Sequence, residues 1–255
     1  MKGEERPLRR VLLTVSYDGT GYSGWQRQEN AMSVQQRLEE ALFKALKVKT
    51  AVTGASRTDA GVHALNQAAH FDTSSTIPDE KFPFVLNNLL PYDIRVTGAW
   101  PVPLDFHARF SCRGKTYTYR MYNAPHASAL YRNLTAHVPV HLNDCVMDAA
   151  VKQVLGTHDF KAFAAAGGSA KTTVRTITSA AVSREGGLVT LTVSGNAFLY
   201  NMVRILAGTL IEIGQGSLLP QVLTEALETG NRLLLGPTAP PQGLELTRVE
   251  YDIIG

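Results

Sequence analysis

The stretch RVLLTVSYD over residues 10–18 alternates apolar and polar positions, the period of a half-buried strand. The period then lengthens. Val34, Leu38, Ala41, Leu42, Ala45 and Leu46 recur at helical spacing, and Ser33 followed by Gln36 three residues later makes a capping-box start for that helix. Strands are predicted around residues 51–56 and over 63–72, then a helix after Pro78 and a strand over 94–102, completing an α+β unit. The order begins again with a strand over 110–122, a helix over 143–155, paired strands near 174–182 and 188–194, a helix over 201–213 and a last strand over 244–253. Two α+β halves sharing a sheet are expected, 1–105 and 106–255, with Pro101 and Pro103 at the junction; no sequence repeat accompanies them. A small-residue loop over 164–170 and a Pro-rich turn over 236–243 are the other breaks.

With 44% hydrophobic and 18% charged residues in 255, the chain has a globular rather than a disordered or fibrous composition. No apolar run approaches the roughly eighteen residues of a membrane span, so a soluble protein is expected. The opening MKGEERPLRR mixes both signs of charge and no signal-type apolar stretch follows it. Cys112 and Cys145 are too few for a disulfide framework or a cysteine-rich metal site, and the cytoplasm is the expected compartment.

Charge is unevenly spread. Up to residue 133 there are 17 Lys and Arg against 12 Asp and Glu, whereas the remainder is slightly acidic. The excess concentrates at Arg109, Arg113, Lys115 and Arg120, interleaved with Phe110, Tyr117 and Tyr119 and with no acid among them. On a strand, Arg113, Lys115, Tyr117 and Tyr119 would share one face, offering cations to phosphates and rings to unpaired bases. A solvated edge strand with two packing tyrosines fits the same pattern.

Gly19, Gly21 and Gly24 spell the GxGxxG dinucleotide fingerprint after the first strand. That motif requires a helix to begin inside the glycine loop so that its N-terminus meets the pyrophosphate, yet helical periodicity starts only near Ser33. The match therefore reads as a glycine-rich turn. Trp25, Gln26, Arg27 and Gln28 are candidate RNA contacts on it, and a surface turn with one packing tryptophan is the alternative.

The segment SRTDAGVH over residues 56–63 centres on Asp59, with Arg57 two residues away to hold a carboxylate ionised or grip a phosphate, and Gly61 to allow close approach. Turn aspartates commonly only cap or solvate. Arg204, however, lies in FLYNMVRILAGTLIEIG, apolar on nearly every side, and a desolvated guanidinium there calls for an acidic partner from elsewhere in the chain; Asp59 is a candidate, and a snorkelling arginine is the alternative. His63 follows as a candidate base or substrate contact, against a histidine packed in its strand. Neither histidines nor cysteines show metal-ligand spacing.

Five segments in order, YDGTGYSGWQRQ from Tyr17, RTDAGVHA from Arg57, FHARFSCRGKTYTYR from Phe106, NAFLYNMVR from Asn196 and GLEL from Gly243, resemble the tRNA pseudouridine synthases of the TruA type. The resemblance implies ferredoxin-like (RRM-like) halves on a largely antiparallel central sheet with helices on one side. It makes Asp59 the catalytic carboxylate, Arg57 the residue that displaces and holds the target nucleotide, Tyr117 the ring on the target base, Arg204 the ion-pair partner of the aspartate and Leu244 an apolar contact beneath the base. Lys115 and Arg113 join the RNA-binding group. Ser56 departs from the glycine found there in many members. The implied reaction turns uridine into pseudouridine in the anticodon stem-loop of tRNA, with no cofactor and by a homodimer. A non-catalytic RNA-binding protein and a dinucleotide-dependent oxidoreductase are the competing functions.

Overall fold

A computed structural model describes residues 7–168 and 170–252; the first six residues, Ser169 of the small-residue loop and position 253 of the expected last strand lie outside them. The chain gathers into two compact units, one made of the residues up to Arg113 together with those from Leu246 on, the other of Gly114–Glu245. Both are α+β.

In the first unit β1 (Arg9–Tyr17), α1 (Val34–Leu46), β2 (Thr53–Gly54), β3 (His63–Thr73), α2 (Phe82–Asn87) and β4 (Ile94–Val102) follow the expected order. β1 lies antiparallel between β3 and β4, with Leu12 opposite both His70 and Trp100. Val11, Leu12 and Leu13 are all fully buried, so the strict alternation read for β1 holds only beyond them, where Val15 and Tyr17 are buried and Thr14 and Ser16 are partly exposed. α1 begins as predicted: Ser33 is its N-cap and its Oγ accepts from the Gln36 amide at 3.2 Å. The buried stripe is Val34, Leu38, Ala41 and Leu42, while Ala45 and Leu46 are only half-buried because the helix ends there, at Lys47 in the left-handed region (φ 60°).

The second unit holds β5 (Gly114–Asn123), β6 (Ala136–Val138), α3 (Asp144–Val151), β7 (Gly156–Asp159), β8 (Val174–Glu185), β9 (Leu188–Gly195), α4 (Met202–Gln215) and α5 (Val222–Thr229). Its strands run β5-β9-β8-β7, all antiparallel, with β6 parallel on β5. α4 is buried on nearly every side, and Gly208 sits where a Cβ would fall 1.8 Å from the Pro237 carbonyl oxygen. β10 (Leu244–Glu250) starts in the second unit and finishes in the first, beside β3.

One expected strand is shorter than its pattern. Residues 110–113 do not extend β5: 108–110 form a turn in which the amides of Phe110 and Ser111 donate to the His107 carbonyl oxygen at 3.0 and 2.8 Å, and the Arg113 amide donates to the Glu250 carbonyl at 2.9 Å. Arg113 consequently lies outside the strand face assigned to it, and its exposed guanidinium meets Asp252 at 2.5 Å. The turn is anchored from below. Phe106 and Ala108 pack with Leu12, Ala55, Ala68 and Tyr251 in one buried cluster; the Tyr251 hydroxyl donates to the Ala108 carbonyl at 2.6 Å and the Ala108 amide donates to His70 Nδ1 at 3.1 Å.

Burial, helped by the nearby Arg10 and His107 charges and opposed by Asp72, pulls the His70 pKa down to about 4 from its ordinary 6.5. The fold thus favours the neutral ring, so its contribution is complete above pH 6.5 and is lost as pH falls from there towards 4. Between pH 7 and 4.5 urea unfolding should lose roughly 2 kcal/mol through this group. His70→Gln should remove most of that loss; an undiminished loss in the variant would assign it elsewhere.

Candidate active site

Asp59 stands between β2 and β3 in a loop held by its backbone. Gln67, fully buried on β3, accepts from the Ser56 amide at 3.1 Å and donates to the Ser56 carbonyl at 2.7 Å. Among the described residues only Lys47 and Asn201 are non-glycines with positive φ, so Ser56 needs no conformation that glycine alone would supply. After Asp59 the chain turns tightly: the Val62 amide donates back to the Asp59 carbonyl at 3.1 Å, and Gly61 occupies the left-handed third position at φ 76°. That turn requirement is what the structure shows for Gly61. Arg57 is exposed on the loop, Thr58 is buried, and Asp59 is half-buried between them and exposed Ala60.

The glycine-rich loop is the other wall of this arrangement. A Cβ on Gly24, itself at φ 88°, would fall 2.3 Å from the Thr58 carbonyl oxygen, and one on Gly19 would fall 2.0 Å from that of Val62; Gly21 faces open space. Two of the three fingerprint glycines therefore exist to let one loop lie against the other. Cross-links complete the contact: the Trp25 amide donates to the Thr58 carbonyl at 3.0 Å, the Gly61 amide to the Tyr22 carbonyl at 3.2 Å, and the Tyr17 and Thr58 hydroxyls meet at 2.7 Å in a buried pair. No helix starts in this loop before Val34, which removes the dinucleotide geometry.

Several candidates are buried supports. Trp25 is 1% exposed, its ring 6.1 Å from that of Tyr17, so the packing alternative describes it and an RNA contact does not. Arg27 and Gln26 are exposed instead, engaged with Glu39 at 2.7 Å and Gln35 at 2.9 Å. His63 is buried, and its Nδ1 accepts from the Gly19 amide at 3.0 Å beside the Asp18 carboxylate at 3.2 Å. The ring holds the glycine loop.

In the second unit Tyr117 lies on β5 opposite Val193, 6% exposed, with its ring edge-on to Phe198 at 5.0 Å between centroids. Lys115 is half-buried nearer the strand's start, opposite Gly195. Tyr119 is fully buried and donates to the Pro240 carbonyl at 2.8 Å; burial pushes its hydroxyl pKa up against the opposing charge of Arg204. Arg204, in the first turn of α4, donates from Nε to the Ala239 carbonyl at 2.8 Å and from Nη1 to Asn201 Oδ1 at 2.9 Å, while its own carbonyl accepts from the Ala239 amide at 3.0 Å. This is an oriented guanidinium rather than a snorkelling one. Leu244 opens β10, buried, directly after Gly243, where a Cβ would lie 2.7 Å from the Tyr119 ring. Among the described residues no cluster of three His, Cys, Asp or Glu side chains could hold a metal.

The same segments carry the relationship to known proteins. The tRNA pseudouridine synthase family model matches residues 13–111 and 150–252. The chain belongs to the tRNA pseudouridine synthase family. It is 49% identical to "tRNA pseudouridine synthase A" of Ruminiclostridium cellulolyticum over 96% of this chain and 100% of that protein. Similar proteins of the same description from Acetivibrio thermocellus and Caldicellulosiruptor bescii share 46% and 45% over the same proportions. Within this pseudouridine synthase framework, sequence reasoning missed Tyr17, Thr58 and Gln67 as the supports of the Asp59 loop. Tyr17 and Gly19 to Trp25 were visible as one motif, but only their contact with Thr58 to Val62 explains them.

The buried Tyr17–Thr58 hydroxyl pair sits one residue from Asp59 and should act as a unit. Tyr17→Phe and Thr58→Val should each slow single-turnover pseudouridine formation about tenfold with tRNA affinity held, and the double variant should be no slower than either. Multiplying effects would show that the two hydroxyls act separately.

Proposed function

We propose that this chain isomerises uridine to pseudouridine in the anticodon stem-loop of tRNA, with Asp59 as the carboxylate that starts the reaction. The observation that carries this reading is an aspartate on a loop fixed by backbone contacts on two sides, in a chain matched over nearly its whole length to tRNA pseudouridine synthases. The reaction breaks the bond between the sugar and N1 of uracil, turns the base in place and joins the sugar to C5, whose proton is lost while N1 gains one. Substrate and product are isomers, so no electrons enter or leave. One ionised carboxylate suffices, as a nucleophile toward sugar or base or as a base at the sugar.

In this reading Arg57, exposed beside Asp59, displaces and holds the target nucleotide, which must leave the stem at an unstacking cost of a few kcal/mol. Tyr117 retains the detached uracil against its ring, with Leu244 beneath the base. Arg204 keeps the aspartate charged and aimed; the hydrogen bonds from its Nε and Nη1 to Ala239 and Asn201 favour a fixed role over a mobile one. Lys115 and Arg113 contribute charge toward phosphates. The same reading, resting on the family resemblance, makes the enzyme a cytoplasmic homodimer; among the described residues no helix is long and apolar enough to cross a membrane.

Incubation with unmodified tRNA and mapping by carbodiimide-primer extension should give pseudouridine with the wild-type chain and none with Asp59→Ala, whose tRNA affinity should stay within about threefold. Equal product from both proteins would end the assignment of Asp59. tRNA binding without any product from the wild-type chain would instead favour a non-catalytic RNA-binding protein.

Arg204 and Lys115 should separate chemistry from binding. Arg204→Met should depress turnover by about a hundredfold or more with affinity nearly unchanged. Lys115→Ala should weaken binding and reduce the slope of log affinity against log salt by about one. The opposite pattern would exchange the two roles.

A further inference from the structure

Phe110 is 77% exposed, on a turn whose backbone is held by several hydrogen bonds. Isolated exposed apolar side chains are common and need no explanation. This one differs in how it is presented. Its ring lies on that of His107, 4.3 Å between centroids and tilted by 33°, with the Arg109 guanidinium 5.8 Å from the same ring. His107 is tied in turn: its amide donates to Ser111 Oγ at 3.0 Å, its Nδ1 accepts from the Arg109 amide at 3.1 Å, and its carbonyl receives the amides of Phe110 and Ser111.

The base of the turn is equally constrained, because Phe106 and Ala108 are buried and Ala108 is hydrogen-bonded on both sides, by His70 and Tyr251. A pre-ordered aromatic surface loses little conformational freedom when it is covered, which is the condition for useful affinity from one ring. The flat apolar face with a cation beside it matches a nucleobase and its phosphate. Ala55, which leads into the Asp59 loop, packs in the same buried cluster as Phe106 and Ala108, so loop and turn rise from shared ground.

We propose that Phe110, backed by His107 and flanked by Arg109, is a stacking platform for an unpaired base of the RNA substrate other than the reacting uridine, an inference that rests on the tRNA reading above. The platform supplies binding energy and register. It takes no part in bond breaking.

Equilibrium binding of an unmodified tRNA transcript, followed across a salt series, tests this with the full-length protein. Phe110→Ala and Phe110→Leu should each weaken affinity about tenfold without changing the salt slope, Phe110→Trp should restore it, and Arg109→Ala should reduce the slope by about one. Because the side chain is exposed, all four variants should unfold at the wild-type temperature. Wild-type affinity in Phe110→Ala, or in Phe110→Leu, would overturn the platform. So would a change from dimer to monomer in Phe110→Ala by sedimentation, which would assign the ring to a second copy of the chain. Should the wild-type protein bind tRNA but form no pseudouridine, the catalytic reading fails while the Phe110 comparison still decides the platform. Intact catalysis with unaltered binding in the Phe110 variants removes the platform alone.

Discussion

Two stretches of backbone touch with no side chain between them, and the site depends on that contact. Where Gly24 meets Thr58 and Gly19 meets Val62, a single added carbon would collide with a carbonyl oxygen. Backbone cannot yield as a flexible side chain can, so the loop carrying Asp59 inherits the rigidity of the strands on either side. Amide-to-carbonyl bonds from Trp25 and Gly61 and the Tyr17–Thr58 hydroxyl pair lock the same surface. A reactive carboxylate gains from such a mounting, because errors of about 1 Å in a reacting group are expensive in rate.

The second unit uses a different device for its arginine. α4 has almost no polar surface near its start, and the guanidinium of Arg204 is steered by Asn201 and by the 237–240 segment, which itself packs so closely on Gly208 that no Cβ fits there. Tyr119 and Gly243 fill the neighbouring space. In both units, then, glycines mark where backbone is pressed against its neighbour, and the polar group of interest stands next to such a place.

Much of this was legible in the chain. Period-two and helical spacing located β1, α1, β3, β4, α3, β8, β9 and α4, since each buries one face or a continuous stripe and the pattern records it. The short β6 and β7 and the helix α5 lack that record: three or four residues contain too little periodicity, and α5 buries only Leu223 and Ala226. Residues 110–113 misled because alternating aromatic and basic residues imitate a strand, whereas the hydrogen bonds of the turn at His107 close off the ladder. At the site, the SRTDAGVH segment pointed to Asp59, but nothing local in the sequence tells a buried Trp25 or His63 from one facing a ligand. That distinction comes from what packs on them, and the packing partners are tens of residues away.

The last strand has a bearing on how the protein is made. Tyr251 and Val249 pack into the cluster that contains Ala55, Asp252 pairs with Arg113, and β10 lies beside β3, so the unit built on the residues up to Arg113 is completed by residues 246–252. During synthesis a ribosome releases those residues only after the whole of Gly114–Glu245 has emerged. The unit that bears Asp59 therefore cannot close early, and a nascent or truncated chain would reach tRNA without a finished scaffold around its acid.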